Sequence, residues 1–174
     1  MKKIINVIFI AIGILILALF GVRYYTKSHS EFESVEGKSG ELTVKVGYCR
    51  PILRNRKIFG ELVPFNTVWR TGANEATTIS FSKNCFVNGK RIKAGDYSLW
   101  TIPNKKNWVI ILNNETGQWG TNYDQSRDYQ RFEVKAESTQ SVTEKLTIGF
   151  EKPEKGLLMF INWENTKVEI PIRV

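Results

Sequence analysis

A chain of 174 residues, 42% hydrophobic and 12% aromatic, is long enough to bury one domain core without disulfides or a metal. The one histidine, His29, falls in the stretch that follows the apolar N-terminal run, which excludes a Ser-His-Asp triad, a Cys-His pair and a histidine-based metal site within the domain. Two cysteines, Cys49 and Cys85, are too few and too far apart for a zinc motif. The net charge of +8 is interleaved with acids, and its basic runs (Arg54-Asn55-Arg56-Lys57, Lys90-Arg91, Lys105-Lys106) are short and accompany no nucleic-acid motif.

From Ile4 to Val22 every residue is apolar or glycine except Asn6. At about 1.5 Å per residue such a run spans a hydrocarbon core of roughly 30 Å. Residues 1–25 are therefore expected to be an N-terminal transmembrane anchor, an uncleaved signal-anchor in contact with the lipid bilayer. Lys2, Lys3, Arg23 and Lys27 flank it, and Tyr24 and Tyr25 suit the headgroup layer. No Ala-x-Ala cleavage pattern and no lipoprotein cysteine follows. The slight positive-inside bias orients the amino terminus inward, which makes the protein single-pass with its C-terminal domain periplasmic or extracytoplasmic. Residues 26–40 carry Ser28, Ser30, Ser34, Gly37, Ser39 and Gly40 among scattered charges and read as a polar linker. The single histidine, His29, falls there. Residues 41–174 form the one domain.

That domain reads as all-β, an antiparallel sandwich or flattened barrel of about nine strands. Leu42, Val44 and Val46 alternate with polar neighbours, and residues 76–81 form a second β-rich run. Cys85-Phe86-Val87 and Arg91-Ile92 flank Asn88-Gly89, the strongest hairpin dipeptide. Gly95-Asp96 leads into residues 97–102, stopped by Pro103. Residues 108–112 are apolar enough to be central. Phe132 and Val134 alternate, as do Leu146, Ile148 and Phe150. Residues 157–163 and 167–172 bracket Glu164-Asn165-Thr166 as a closing hairpin. Cys49 and Cys85 form a disulfide if their strands are neighbours in an oxidising compartment, and otherwise remain buried free thiols.

Two segments resist a plain strand reading: Tyr48-Cys49-Arg50-Pro51 with residues 56–64, and residues 68–77. Arg70, Asn74 and Glu75 cluster with Trp69 around Gly72, a mixture that suits planar or anionic ligands through stacking and forked hydrogen bonds. The alternative is scaffolding, with an Arg70–Glu75 ion pair pinning the loop. Trp119, Tyr123 and Asp124 form a second aromatic and acidic stretch, able to grip a ligand or to cap the sheet.

The run Trp69-Arg70-Thr71-Gly72-Ala73-Asn74-Glu75-Ala76-Thr77 resembles the hallmark of the bacterial domain-of-unknown-function family 2911. Arg50-Pro51, Phe59-Gly60, Ala94-Gly95, Tyr97-Ser98-Leu99, Ile102-Pro103, Trp119-Gly120, Asp128, Trp163-Glu164-Asn165-Thr166 and Pro171 extend the likeness from about Glu41 onward. The resemblance implies an exported single-domain β protein and supplies no activity. Two departures stand out: Asn55-Arg56 occupies the place of a usual Gly-Arg pair, and the apolar run is retained where relatives often have a removable signal.

Three functions compete. A non-catalytic binding module would present Arg50, Trp69, Arg70, Asn74, Glu75, Trp119 and Tyr123 to a small ligand or glycan. An accessory subunit of a membrane assembly would use Asn6, Gly13 and Gly21 to pack against other membrane proteins. A carboxylate hydrolase would pair Glu75 with Asp124 or Asp128 at about 5–10 Å. Binding or assembly is favoured over catalysis, with no cofactor and no metal.

Overall fold

The computed structural model describes residues 2–28 and 30–174; within the first segment, side chains are described at 5–6 and 9–22. His29 therefore lies outside the described residues. Lys2–Ser28 forms α1. The chain then makes β1 (Glu31–Ser39), β2 (Leu42–Arg50), β3 (Thr77–Phe81), β4 (Cys85–Val87), β5 (Lys90–Ile92), β6 (Gly95–Ile102), β7 (Asn107–Asn113), β8 (Asp128–Glu151) and β9 (Leu157–Arg173). Among the described residues no helix is long and apolar enough to cross a membrane. The described apolar side chains of α1, such as Phe9, Leu15 and Phe20, are exposed.

The domain is mostly β, as its composition implies, but it is one open antiparallel sheet of nine strands in the order β1-β2-β3-β6-β7-β8-β9-β4-β5. It does not close into a barrel. Two long strands fold it over on itself. The first third of β8 pairs with β7 and the rest with β9, with register shifts between Ser138 and Thr143 and between Thr143 and Thr147. A shift of register bends a strand and strengthens its twist, so β8 carries the sheet round a corner and both halves face one core. Beyond β2, Leu53 N–H donates to Glu144 O (2.8 Å) and Leu146 N–H to Pro51 O (3.0 Å). These two bonds clip the segment after β2 to β8 across the fold.

Three expectations need correcting. Residues 31–39 are not linker: they form β1, paired with all of β2. Their charges, Glu31, Glu33, Glu36 and Lys38, are the dress of an edge strand, where charge discourages further pairing. Glu164-Asn165-Thr166 does not close a hairpin. β9 runs straight through it, with Glu164 at φ 56° opposite the irregular Thr143. The disulfide is absent: Cys49 and Cys85 are buried, unoxidised thiols on β2 and β4, which are not neighbours in the sheet. Asn88-Gly89 does turn β4 into β5, with φ 47° and 75° as a primed hairpin turn requires.

The core fills the inside of the fold with Leu42, Val44, Val46, Leu99, Ile110, Leu112, Leu146, Ile161 and Ile170, all at most 1% exposed. Phe59, Trp69, Trp108 and Trp163 meet at one end of it. Trp69 stacks on Trp163 (6.0 Å, 17°), and Phe59 meets Trp108 edge to face (4.9 Å, 63°). β6 and β7 are buried on both faces, because Ala76, Trp100 and Ile111 form a second small core on their outer side. Val68 and Tyr123 cover that cluster, so the 68–77 segment and the stretch of Trp119, Tyr123 and Asp124 are sheet coverings as well as loops.

Candidate functional site

The 26 residues between β2 and β3 carry no long strand. A connection of that length inside a compact domain is uncommon and usually functional. Its last part, residues 68–77, is fixed at both ends. Trp69 bridges Thr101 on β6 through Trp69 N–H to Thr101 O (2.7 Å) and Thr101 N–H to Trp69 O (2.9 Å). Ala76 N–H donates to Gln118 O (3.1 Å), and Gly120 N–H to Asn74 O (2.9 Å). Between these anchors Thr71 and Asn74 sit at φ 54° and 59°. Thr77 Oγ1 donates to Thr71 O (2.9 Å), and Trp69 Nε1 donates to Gly72 O (3.1 Å). Gly72 lies against the Cys49 backbone, where a β-carbon would stand 3.1 Å from Cys49 O.

This rigid loop separates two cavities. The first, about 410 Å³, is walled by residues 51–56, by Leu62, Val63 and Pro64, and by Val68, Trp69, Arg70, Gly72 and Ala73, with Trp163 behind. Arg54, Arg56 and Arg70 line it, and among the described residues no carboxylate does. The second, about 370 Å³, is lined by Phe32, Gly47, Tyr48, Cys49, Asn74, Glu75, Ala76, Thr78 and Gly117. Ser30 lines both.

Arg70 is the unusual group. Its side chain lies against Gly120, its Nη1 makes one long bond to Gly120 O (3.4 Å), and its Nε is buried without a hydrogen-bond partner. Desolvation holds its pKa below the usual arginine range, with a smaller opposing effect from Cys49. It makes no ion pair with Glu75, so the pinning pair considered above does not form. Among the described residues Arg70 has no counter-charge, and a desolvated guanidinium without one is costly unless charge-assisted hydrogen bonds satisfy it.

The other expected site residues divide. Trp69 is in the core and backs the first cavity. Asn74, 8% exposed, has its Nδ2 buried without a partner and lines the second cavity with Glu75, whose Oε2 lies 3.9 Å from Cys49 Sγ. Arg50 lines neither cavity. Its Nη1 pairs with Glu33 (2.9 Å), its Nε donates to Leu146 O (3.0 Å) and its Nη2 to Thr147 Oγ1 (3.1 Å), stapling β1, β2 and β8 together. Trp119 is half-buried and bridged to Glu75.

Tyr123 tilts onto Trp100 (5.0 Å), and its hydroxyl donates to Asp128 (2.8 Å) and accepts from Arg131 Nη2 (2.6 Å). Burial first, then Asp128, push its pKa up to about 12. Asp124 caps the turn Gln125–Arg127 through Ser126, whose hydroxyl and N–H hold its carboxyl below the usual range. Neither Asp124 nor Asp128 lines the cavity that contains Glu75. Among the described residues no group of three His, Cys, Asp or Glu side chains could hold a metal.

Arg54, Arg56 and Trp163 were not among the expected site residues. The signal is a run of cations between Pro51 and Phe59 without an acid, too short to stand out among the other basic runs. Asn55, in the place of a usual glycine, has φ 55°, the left-handed region that glycine and asparagine tolerate best.

No curated protein and no solved structure matches the chain. The family model described as protein of unknown function, DUF2911, matches residues 30–172, from the start of β1 almost to the end of β9. With most of its length matched, cavity walls and the Trp69–Thr77 loop included, the chain belongs to the DUF2911 family of proteins of unknown function.

Proposed function

We propose that this protein is a membrane-anchored, exported, non-catalytic module that binds an anionic ligand in the cavity beside the Trp69–Thr77 loop. The observation that carries the binding reading is the guanidinium of Arg70: among the described residues its buried Nε has no partner, no carboxylate lines the cavity wall, and Arg54 and Arg56 line the same space. The first cavity has the size of small-ligand pockets, about 300–1,000 Å³, and it is backed by two tryptophans, Trp69 and Trp163. The anchoring part is supported by the apolar run from Ile4 to Val22 and by the exposed apolar side chains along α1.

The test is tryptophan fluorescence of the full chain in mild detergent, titrated with inorganic phosphate, sulfate and small carboxylates. A saturable change that disappears in Arg70→Met is the expected outcome. A flat titration for every anion would sink the binding reading. Release of the protein from membranes by alkaline carbonate would sink the anchoring one.

A further inference from the structure

α1 ends at Ser28 and β1 begins at Glu31. Three residue steps, at about 3.3–3.6 Å each, allow roughly 10 Å between helix and domain even if fully extended. The helical residues 23–28 rise about 9 Å past Val22, close to the thickness of one headgroup layer, roughly 5–8 Å. In the anchored chain Ser30 therefore stands at the outer edge of the headgroups. Ser30 is also the residue that lines both cavities. The long tether expected from sequence would have freed the domain to turn anywhere, whereas this short one holds the cavity face to the bilayer.

The chemistry of that face suits the position. Arg54, Arg56 and Arg70 line one cavity. Leu62 on the same cavity is 48% exposed, and Phe32 on the second is 66% exposed. Exposed apolar side chains beside cations match an anionic lipid surface, where the ring or branched chain enters the interface and guanidinium forks take phosphate oxygens. Of the acids on this face, Glu33 is paired with Arg50, Glu31 lies 3.9 Å from Lys145, and Glu75 lines the second cavity and not the arginine one.

We propose that this face docks on anionic phospholipid in the anchoring bilayer, with a headgroup phosphate in the arginine cavity and Leu62 and Phe32 in the interface. The proposal rests on the anchored, anion-binding reading and names the source of the anion.

The experiment reconstitutes the full chain in nanodiscs of phosphatidylcholine, alone or mixed with phosphatidylglycerol, and follows amide hydrogen exchange across residues 51–57 and 67–74. Several-fold slower exchange in the anionic discs, reversed by high salt and absent in Arg54→Asn, is expected. Asparagine tolerates the left-handed backbone at position 54 (φ 51°), so that variant keeps the turn. Leu62→Ser is expected to lose part of the protection. Equal exchange in both discs overturns the proposal. Protection by inorganic phosphate in phosphatidylcholine discs that matches the anionic discs also overturns it, assigning the site to a soluble anion and leaving the binding reading intact. Failure to enter discs at all overturns the anchor and the docking together.

Discussion

Arg70 lies so closely on Gly120 that a β-carbon there would overlap its Cδ and would stand 2.6 Å from Asn74 O. The glycine is thus the floor on which the cavity arginine rests. Gly120→Ala is expected to displace Arg70 and strain the Asn74–Gly120 backbone bond, costing about 1–3 kcal/mol as overpacking does. Anion binding should fall with it. Denaturant unfolding and the phosphate titration read the two effects, and an unchanged stability would show that the loop yields easily.

Arg70→Met separates scaffold from site. Among the described residues its guanidinium makes one long hydrogen bond and no ion pair, so removal strips a desolvated charge and leaves the stem volume filled. Stability is expected to hold or to rise by about 1 kcal/mol, while affinity for anions drops at least about tenfold, as loss of a charge-assisted pair implies. A loss of several kcal/mol instead would make the residue a structural one.

Arg50 should behave in the opposite way. It joins β1 through Glu33 and β8 through Leu146 and Thr147, at 22% side-chain exposure. Arg50→Ala removes the cation beside the part-buried Glu33, which keeps the Tyr48 hydroxyl, and takes the side-chain donor from the Leu146 carbonyl, at an expected cost of about 2–4 kcal/mol. The tryptophan response to anions should survive wherever the variant remains folded, because Arg50 lines neither cavity.

The contrast between these arginines explains what the sequence could and could not reveal. Leu42, Val44 and Val46 declare a half-buried strand because alternation is local, and Asn88-Gly89 declares its turn for the same reason. β1 was hidden by its own edge chemistry, since glutamates and serines describe a linker equally well. Glu164 looked like a hairpin residue, yet its carboxylate accepts from Phe59 N–H (3.2 Å) across the fold, a tertiary use that residues 164–166 cannot announce. Arg50, Arg70, Arg54 and Arg56 are chemically alike in sequence. Among the described residues Arg50 has an ion pair, with Glu33, whereas Arg54, Arg56 and Arg70 have none and line the first cavity, and that divides staple from site. Tyr123 was a ligand candidate by residue type, and the structure ties it to Asp128 and Arg131.

Tyr48 carries a pH signature. Its hydroxyl accepts from Ile148 N–H (2.9 Å) and donates to Glu33 (2.9 Å). Burial first, with Glu33 adding to it, pushes its pKa up to about 12 from 10.0. The neutral form is favoured in the fold, so this stabilisation is complete below the unfolded pKa and is lost as pH rises from about 10 to about 12. Tyr48→Phe should cost about 1–3 kcal/mol at neutral pH and should flatten the alkaline decline. Some decline remains, because Tyr97 and Tyr123 are also raised to about 12. Urea unfolding across pH 8–12, roughly the range in which tyrosines titrate, measures both.

The cysteines give the most direct check on the topology. β2 has β1 and β3 as neighbours, whereas β4 has β5 and β9, so Cys49 and Cys85 lie on separated strands and form no disulfide. Protein purified in air without reductant should therefore release two thiols to a colorimetric disulfide reagent once denatured. In the native state Cys85 is held back twice over: it is 2% exposed, and burial pushes its pKa up to about 11. At pH 8 that leaves roughly two orders of magnitude less thiolate than an unperturbed thiol supplies. Cys49 lines the second cavity, so a small uncharged alkylating agent should reach it first, and Cys49→Ser should abolish the faster phase. Fewer than two thiols after denaturation would mean a bridge and a different strand order. Equal native rates for the two thiols would mean that the second cavity gives Cys49 no access.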